Sequence, residues 1–241
     1  MSGFVMKSIA RVVPNAQGSF RHRFGGTPTH RGITPRGSKQ PLHLLYIFDT
    51  KDPLVPVRVP GVRHLPLYYC FPYNAGAVGY QVVSDDEIKI LYLETKQVEP
   101  NFPYENYPDE FPETSVSLVP ISYEEHKTFV YYLACEDYNL RKDYLSQADK
   151  DLLKQTSYPF TQLGGIQRMW QDIPEVPCPN TKCEYHKYDC FMNVFAVVWN
   201  RPVPNVYLWD DDPDSRDDVE AQVIFQICRK CQSIYVCNRG T

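Results

Sequence analysis

No window of this 241-residue chain approaches 18 uncharged apolar residues, the length a helix needs to cross a bilayer. The opening stretch, Met1 to Ile9, is too short and too weakly apolar for a secretion signal, so a cytoplasmic location is expected. Local catalytic motifs are also missing. No Gly-rich loop ends in Lys-Ser or Lys-Thr, and no G-x-S-x-G elbow occurs. None of the six histidines (His22, His30, His43, His64, His126, His186) has an i, i+4 partner. Phosphate-loop, serine-hydrolase and helical zinc-protease chemistry therefore lack support, although a site assembled from distant residues leaves no such signature. Glycine is sparse, at 12 against 21 prolines and 18 tyrosines. That balance favours strands and structured loops over long helices.

Charge is unevenly spread. Residues 1–64 carry ten Lys/Arg and only Asp49 and Asp52 as acids, a net +8, while residues 65–241 carry 15 basic against 27 acidic residues, a net −12. The basic stretch has no Lys/Arg block or recognition motif, so pairing with the acidic remainder is expected, and a nucleic-acid partner is not.

Apolar patterning predicts strands at Leu42–Phe48, Leu65–Phe71, Gly79–Val83, Glu87–Leu93, Met192–Trp199 and Ser233–Val236. Val219–Ile227 alternates apolar and polar residues and is expected to be half-buried. Arg21–Lys39 reads as a loop, and 94–120 as an acidic, proline-broken surface excursion or partner-facing loop. Ser122 and Glu125 have the spacing of a capping box and Ser146 with Asp149 a weaker one, so short helices are expected in 121–158. Phe24-Gly25-Gly26 and Leu163-Gly164-Gly165 each precede a loop and then an apolar run, a faint internal repeat. The expected fold is α+β, mainly β. A β-rich N-terminal half spans 1–120, a helical connector 121–158 and a β-rich C-terminal half 159–241, together one unit with a pseudo-duplicated core.

The eight cysteines carry the strongest chemical signal. Cys178 and Cys183 form C-x4-C, and Cys228 and Cys231 form C-x2-C across Arg229-Lys230, with 44 residues between the pairs. Two turns that each present two thiolates can complete the tetrahedral sulfur shell that zinc prefers. Such a closed shell leaves no open position, so the zinc is expected to be structural and ribbon-like. Arg229 and Lys230 are expected to lower the thiolate pKa values. His186, Cys190 and Cys237 are alternative fourth ligands, whereas Cys70 and Cys135 lie in apolar surroundings and read as core.

Residues 210–220 hold seven acids against one arginine. As a calcium loop the stretch fails, because Ser215 stands where the turn needs glycine and Ala221 where a bidentate glutamate is needed. Two readings remain: a solvated inter-strand loop, or a docking patch for a basic protein. In the second, Asp210, Asp211, Asp212, Asp214, Asp217 and Asp218 steer association and Trp209 anchors it.

Several short motifs resemble the YwqG-like family of bacterial proteins. They are Phe24-Gly25-Gly26-Thr27-Pro28, Leu65-Pro66-Leu67-Tyr68-Tyr69, and Leu163-Gly164-Gly165-Ile166-Gln167 running to Trp170-Gln171. The tail, from Cys178 through Met192 to Phe225-Gln226-Ile227-Cys228-Arg229-Lys230-Cys231, is similar to its zinc-ribbon-bearing members. The resemblance implies a β-rich fold with a repeated core. It also implies a role as an immunity protein, since such domains occur beside polymorphic toxins. The expected function is thus non-enzymatic neutralisation of a cognate toxin protein, plausibly a nuclease effector. The alternatives are a dispersed-site enzyme, such as a hydrolase, and a zinc-stabilised nucleic-acid binder using Arg11, Arg21, Arg23, Arg31 and Arg36.

Overall fold

A computed structural model describes residues 9–15, 18–99, 101–122, 125, 146–148, 151, 160–164, 174–188, 192–209 and 221–240. Eleven strands among them form one sheet: β1 (Ala10–Pro14), β2 (His22–Phe24), β3 (His43–Asp49), β4 (His64–Tyr69), β5 (Ala77–Ser84), β6 (Glu87–Leu93), β7 (Thr114–Pro120), β8 (Gln162–Leu163), β9 (Met192–Trp199), β10 (Gln222–Cys228) and β11 (Ile234–Arg239). The order across the sheet is β4-β3-β2-β7-β1-β8-β9-β10-β11-β5-β6, and neighbouring strands run antiparallel.

Outward from the β7–β1 pair the order is symmetrical: β2, β3 and β4 on one side, β8, β9 and β10 on the other. The Gly-Gly motifs occupy matching places. Phe24 pairs with Tyr46, and the next amide, Gly25 N–H, donates to Leu45 at 2.9 Å. Leu163 pairs with Ala196, and Gly164 N–H donates to Phe195 at 2.9 Å. Gly25 has φ 61°, and a Cβ there would lie 2.6 Å from the Pro112 carbonyl oxygen, so this turn requires glycine. The first strands are exchanged: β1 lies beside β8, and β7 beside β2.

The strands expected at β3 to β6, β9 and β11 are present, whereas β1, β2, β7 and β8 carry no apolar run that marks them in the sequence. β2 has three residues and β7 carries Ser115 and Ser117 and ends in Pro120, so neither shows an apolar run. Their place is set by partners distant in sequence. The 94–120 stretch is an ordered excursion that ends in β7, with Phe111 buried and the Tyr107 hydroxyl donating to the Leu208 carbonyl at 3.2 Å. β10 is not half-buried: all seven residues are enclosed, and Gln226 on its nominally polar face donates through Nε2 to the Pro174 carbonyl at 3.0 Å. Ser122 and Glu125 do form the reciprocal capping hydrogen bonds, at 2.7 and 3.2 Å. Most of the connector that they open, with the Asp149 signal, lies outside the described residues.

The core is aromatic, with Phe24, Tyr46, Phe48, Tyr68, Phe71, Tyr73, Tyr80, Phe195 and Phe225 fully buried. Buried phenols need partners, and Tyr80 uses its hydroxyl to join strands. β4 is an edge strand, which is why Pro66 is tolerated within it. As the sheet curls, the Tyr80 hydroxyl on β5 accepts from Tyr68 N–H and donates to the Pro66 carbonyl, both at 3.1 Å. Tyr80→Phe would leave two buried backbone groups unpaired, and a loss of about 1–3 kcal/mol in denaturant unfolding is expected.

His43 packs among the rings of Phe71, Tyr107 and Phe111 at 5.4–5.7 Å, with Nε2–H donating to the Pro108 carbonyl at 2.8 Å. Burial holds its pKa below the ordinary 6.5. The unfolded chain therefore binds a proton that the folded ring refuses. Stability is complete above about pH 6.5 and falls as the pH drops below it. A urea midpoint lower at about pH 5.5 than at about pH 7.5 is expected, with a smaller difference in His43→Phe.

Candidate functional site

Cys178, Cys183, Cys228 and Cys231 come together, with their four sulfurs within 4.8 Å of one another. Cys178 and Cys231 are 3.3 Å apart and Cys183 and Cys228 3.8 Å, and three of the four residues are buried. The arrangement could hold a metal ion.

Each pair is built by a turn. The Cys228–Cys231 turn lies between β10 and β11. Gln232 N–H donates to the Cys228 carbonyl at 3.0 Å, and Cys228 N–H to the Ser233 carbonyl at 2.9 Å. Gln232 takes φ 60°, uncommon for a side-chain-bearing residue, and so reverses the chain directly after Cys231. In the other turn the Asn180 carbonyl accepts from Cys183 N–H at 2.9 Å, and the Asn180 side chain from Lys182 N–H at 3.0 Å. A 3-10 turn at Glu184–Lys187 follows and brings the Tyr185 carbonyl to Cys178 N–H at 3.3 Å.

The surroundings suit thiolates. The backbone amides of Asn180, Tyr185 and Ser233, each two residues along from its cysteine, favour the charged forms of Cys178, Cys183 and Cys231. The Ser233 hydroxyl lies 3.2 Å from Cys231 Sγ. Left to themselves the thiols cannot all ionise. Cys231 is held far below the ordinary thiol range by hydrogen bonds from Cys178 and Cys228. Cys178 is held well above it by the same sulfur contacts and by burial, and burial pushes Cys183 up to about 11. A divalent cation would remove this conflict, because every sulfur could then be a ligand anion.

The expected role of Arg229 and Lys230 is not what places them. Arg229 hydrogen-bonds Asn193 Oδ1, and Lys230 bridges to Glu184 at 2.9 Å, joining the two turns. The largest causes of the cysteine shifts are the sulfur contacts, burial and amides, and Lys230 interacts with Cys183 by charge as well. His186 spends its Nδ1–H on the Cys178 carbonyl at 2.7 Å, and Cys237 packs with Ala77, Val194, Val197 and Ile224. Cys70 is core as expected, whereas Cys135 and Cys190 lie outside the described residues.

The centre also meets β5. A Cβ on Gly79 would lie 2.4 Å from Pro179, so the first cysteine turn sits directly on that strand. Gln81 donates to the Cys231 carbonyl at 3.2 Å.

Trp209 is half-buried, its ring packed on Phe71 at 5.2 Å and Tyr69 at 6.2 Å, and its amide held by Asn200 Oδ1 at 2.8 Å. Asp210, Asp211, Asp212, Asp214, Asp217 and Asp218 lie outside the described residues. Of the five arginines named for nucleic acid, Arg23 pairs with Glu113 and Arg31 with Asp86 and Glu87.

A cleft of about 580 Å³, which no sequence motif marks, is lined by His22, His30 and His64 with Arg21, Arg23 and Asp85. Its residues come from β2, β3, β4, β7 and loops that include the β5–β6 turn, and share no regular spacing. His22 has both nitrogens engaged: Nδ1 accepts from Asp49 N–H at 3.0 Å and Nε2–H donates to Asp52 at 2.9 Å. His30 is different, since Nε2 is buried with no hydrogen-bond partner among the described residues.

No family model, curated protein or solved structure matches this chain.

Replacing Cys228 by Ser should remove one ligand and release the ion. We expect the wild-type protein to retain about one metal ion per chain by elemental analysis and the variant none, with a stability loss on the order of several kcal/mol in denaturant unfolding. Wild-type protein purified without chelator and free of metal would refute the assignment.

Proposed function

We propose that this chain is a non-enzymatic binding protein, braced by structural zinc, that neutralises a basic bacterial toxin protein. Zinc is favoured by the donor set: four sulfurs, close to tetrahedral spacing, with no position left for water or substrate. The observation that carries the binding role is the way the acidic stretch 210–220 is rooted. The residues before it, Leu208 and Trp209, are fixed by Asn200 and the aromatic core, and those after it, Ala221 and the first β10 residue Gln222, are buried. The residues flanking a seven-acid segment are thus fixed to the fold, which supports its use as a docking surface. The short motifs shared with the YwqG-like family support an immunity role, and the symmetrical strand order supports a duplicated core.

Clustered carboxylates act mainly on association, because their field reaches about a Debye length of 8–10 Å at moderate salt. Each exposed charge contributes only ~0.2–1 kcal/mol, so the informative variant replaces Asp210, Asp211 and Asp212 together by Asn. With the toxin encoded beside this protein's gene, slower association at low salt and a weaker salt dependence are expected. Absence of both binding and protection of cells would overturn the proposal. The second reading, a dispersed-site enzyme, is favoured by the histidine-lined cleft, and turnover of a substrate abolished by His30→Gln would establish it.

A further inference from the structure

The cleft beside β2 contains a hydrogen-bonding group that the fold does not use. His30 is 4% exposed, and its Nδ1 lies 2.9 Å from the Tyr68 hydroxyl. Two proton arrangements are possible. If Nδ1–H donated to the phenol oxygen, the Tyr68 proton and the Nε2 lone pair would both need partners. If Tyr68 O–H donates to Nδ1, only one group is left over, the Nε2–H. The second arrangement leaves fewer buried polar groups unsatisfied. Burial keeps the phenol protonated, so it remains able to donate, and burial followed by the nearby Arg23 keeps His30 neutral.

The leftover atom is thus a donor and calls for an acceptor. Other donors line the same cleft: the exposed guanidinium of Arg21 and the hydroxyls of Thr29 and Ser115. The two carboxylates on its walls are already engaged. Glu113 accepts from Arg23 at 2.8 Å, and Asp85 accepts the backbone amides of Arg63 and His64 at 2.6 and 2.8 Å. Arg21 has no ion-pair partner among the described residues, so its guanidinium is available to a ligand, while Asp85 keeps its charge because the amides it accepts from are neutral. The donors outnumber the two oxygens of a carboxylate and match the three or four of a phosphoryl group.

We propose that this cleft binds a phosphate group, free or carried on a small molecule, with His30 Nε2–H and the Arg21 guanidinium as its principal donors.

The test follows the histidine ring nitrogens by NMR in the full-length protein. Inorganic phosphate, glycerol phosphate and acetate are titrated separately at equal pH and ionic strength, and His30→Gln assigns the resonance. A saturable shift of His30 Nε2 with either phosphate probe, and none with acetate, is expected. Tighter binding of inorganic phosphate would identify the free ion as the ligand, and tighter binding of glycerol phosphate a carried phosphate. Arg21 is exposed, so Arg21→Gln should fold normally, with affinity reduced about tenfold for the loss of one charged hydrogen-bonding partner. No saturable shift with either phosphate, an equal response to acetate, or unchanged affinity in Arg21→Gln would overturn the proposal.

Discussion

The antiparallel pairing of β1 with β7 is the junction on which the sheet depends. Five residues of β1 face five of β7, from Ala10 opposite Pro120 to Pro14 opposite Val116. Each strand then presents its other edge to the opposite half, β1 to β8 and β7 to β2. β2 and β8 are only three and two residues long. Strands so short gain little from their own side chains and persist because longer neighbours supply their hydrogen bonds. Without the exchange, β2 and β8 would each lose one flank and the two long-strand groups would be joined only through side-chain contacts such as those of Tyr80. The halves are therefore interlocked through backbone bonds whose partners lie more than 40 residues apart in sequence.

Away from that junction the sheet is completed by polar atoms held inside an aromatic core. Tyr80 supplies hydrogen bonds that no ladder provides between β5 and the edge strand β4. Tyr46 does similar work, its hydroxyl reaching the Pro202 carbonyl and Thr161 at 3.2 and 3.3 Å. His22 joins β2 to the turn after β3 by using both ring nitrogens. Each group is costly to bury alone and stabilising once paired, so these contacts specify one packing of the strands as well as strengthening it. The cysteine centre applies the same logic with sulfur. Its two turns are separated by β9 and β10 in sequence, yet they converge on β5 through the close approach of Pro179 to Gly79. An ion there would tie the Cys178–Cys183 turn to β10 and β11 and so hold Pro179 against β5. The cleft lies on different strands, so bracing and ligand binding need not compete for the same side chains.

Sequence by itself determined the elements whose signal is local. The apolar runs at β3, β4 and β9 were legible because a strand buried on both faces must be continuously apolar. The two cysteine pairs were legible because a metal-binding turn fixes the spacing of its ligands. The Ser122–Glu125 capping pair was legible because its hydrogen bonds close within one helical turn. Tertiary structure alone decided whatever rests on distant partners. β7 reads as proline-broken loop until β1 and β2 supply its ladders. Gln226 reads as solvent-facing until the segment at Pro174 covers it. His30 reads as one loop histidine among several until Tyr68 takes one nitrogen and burial strands the other. The physical reason is common to all three. A strand register, the covering of a face and the satisfaction of a buried polar atom are properties of pairs, and the second member of each pair lies far along the chain.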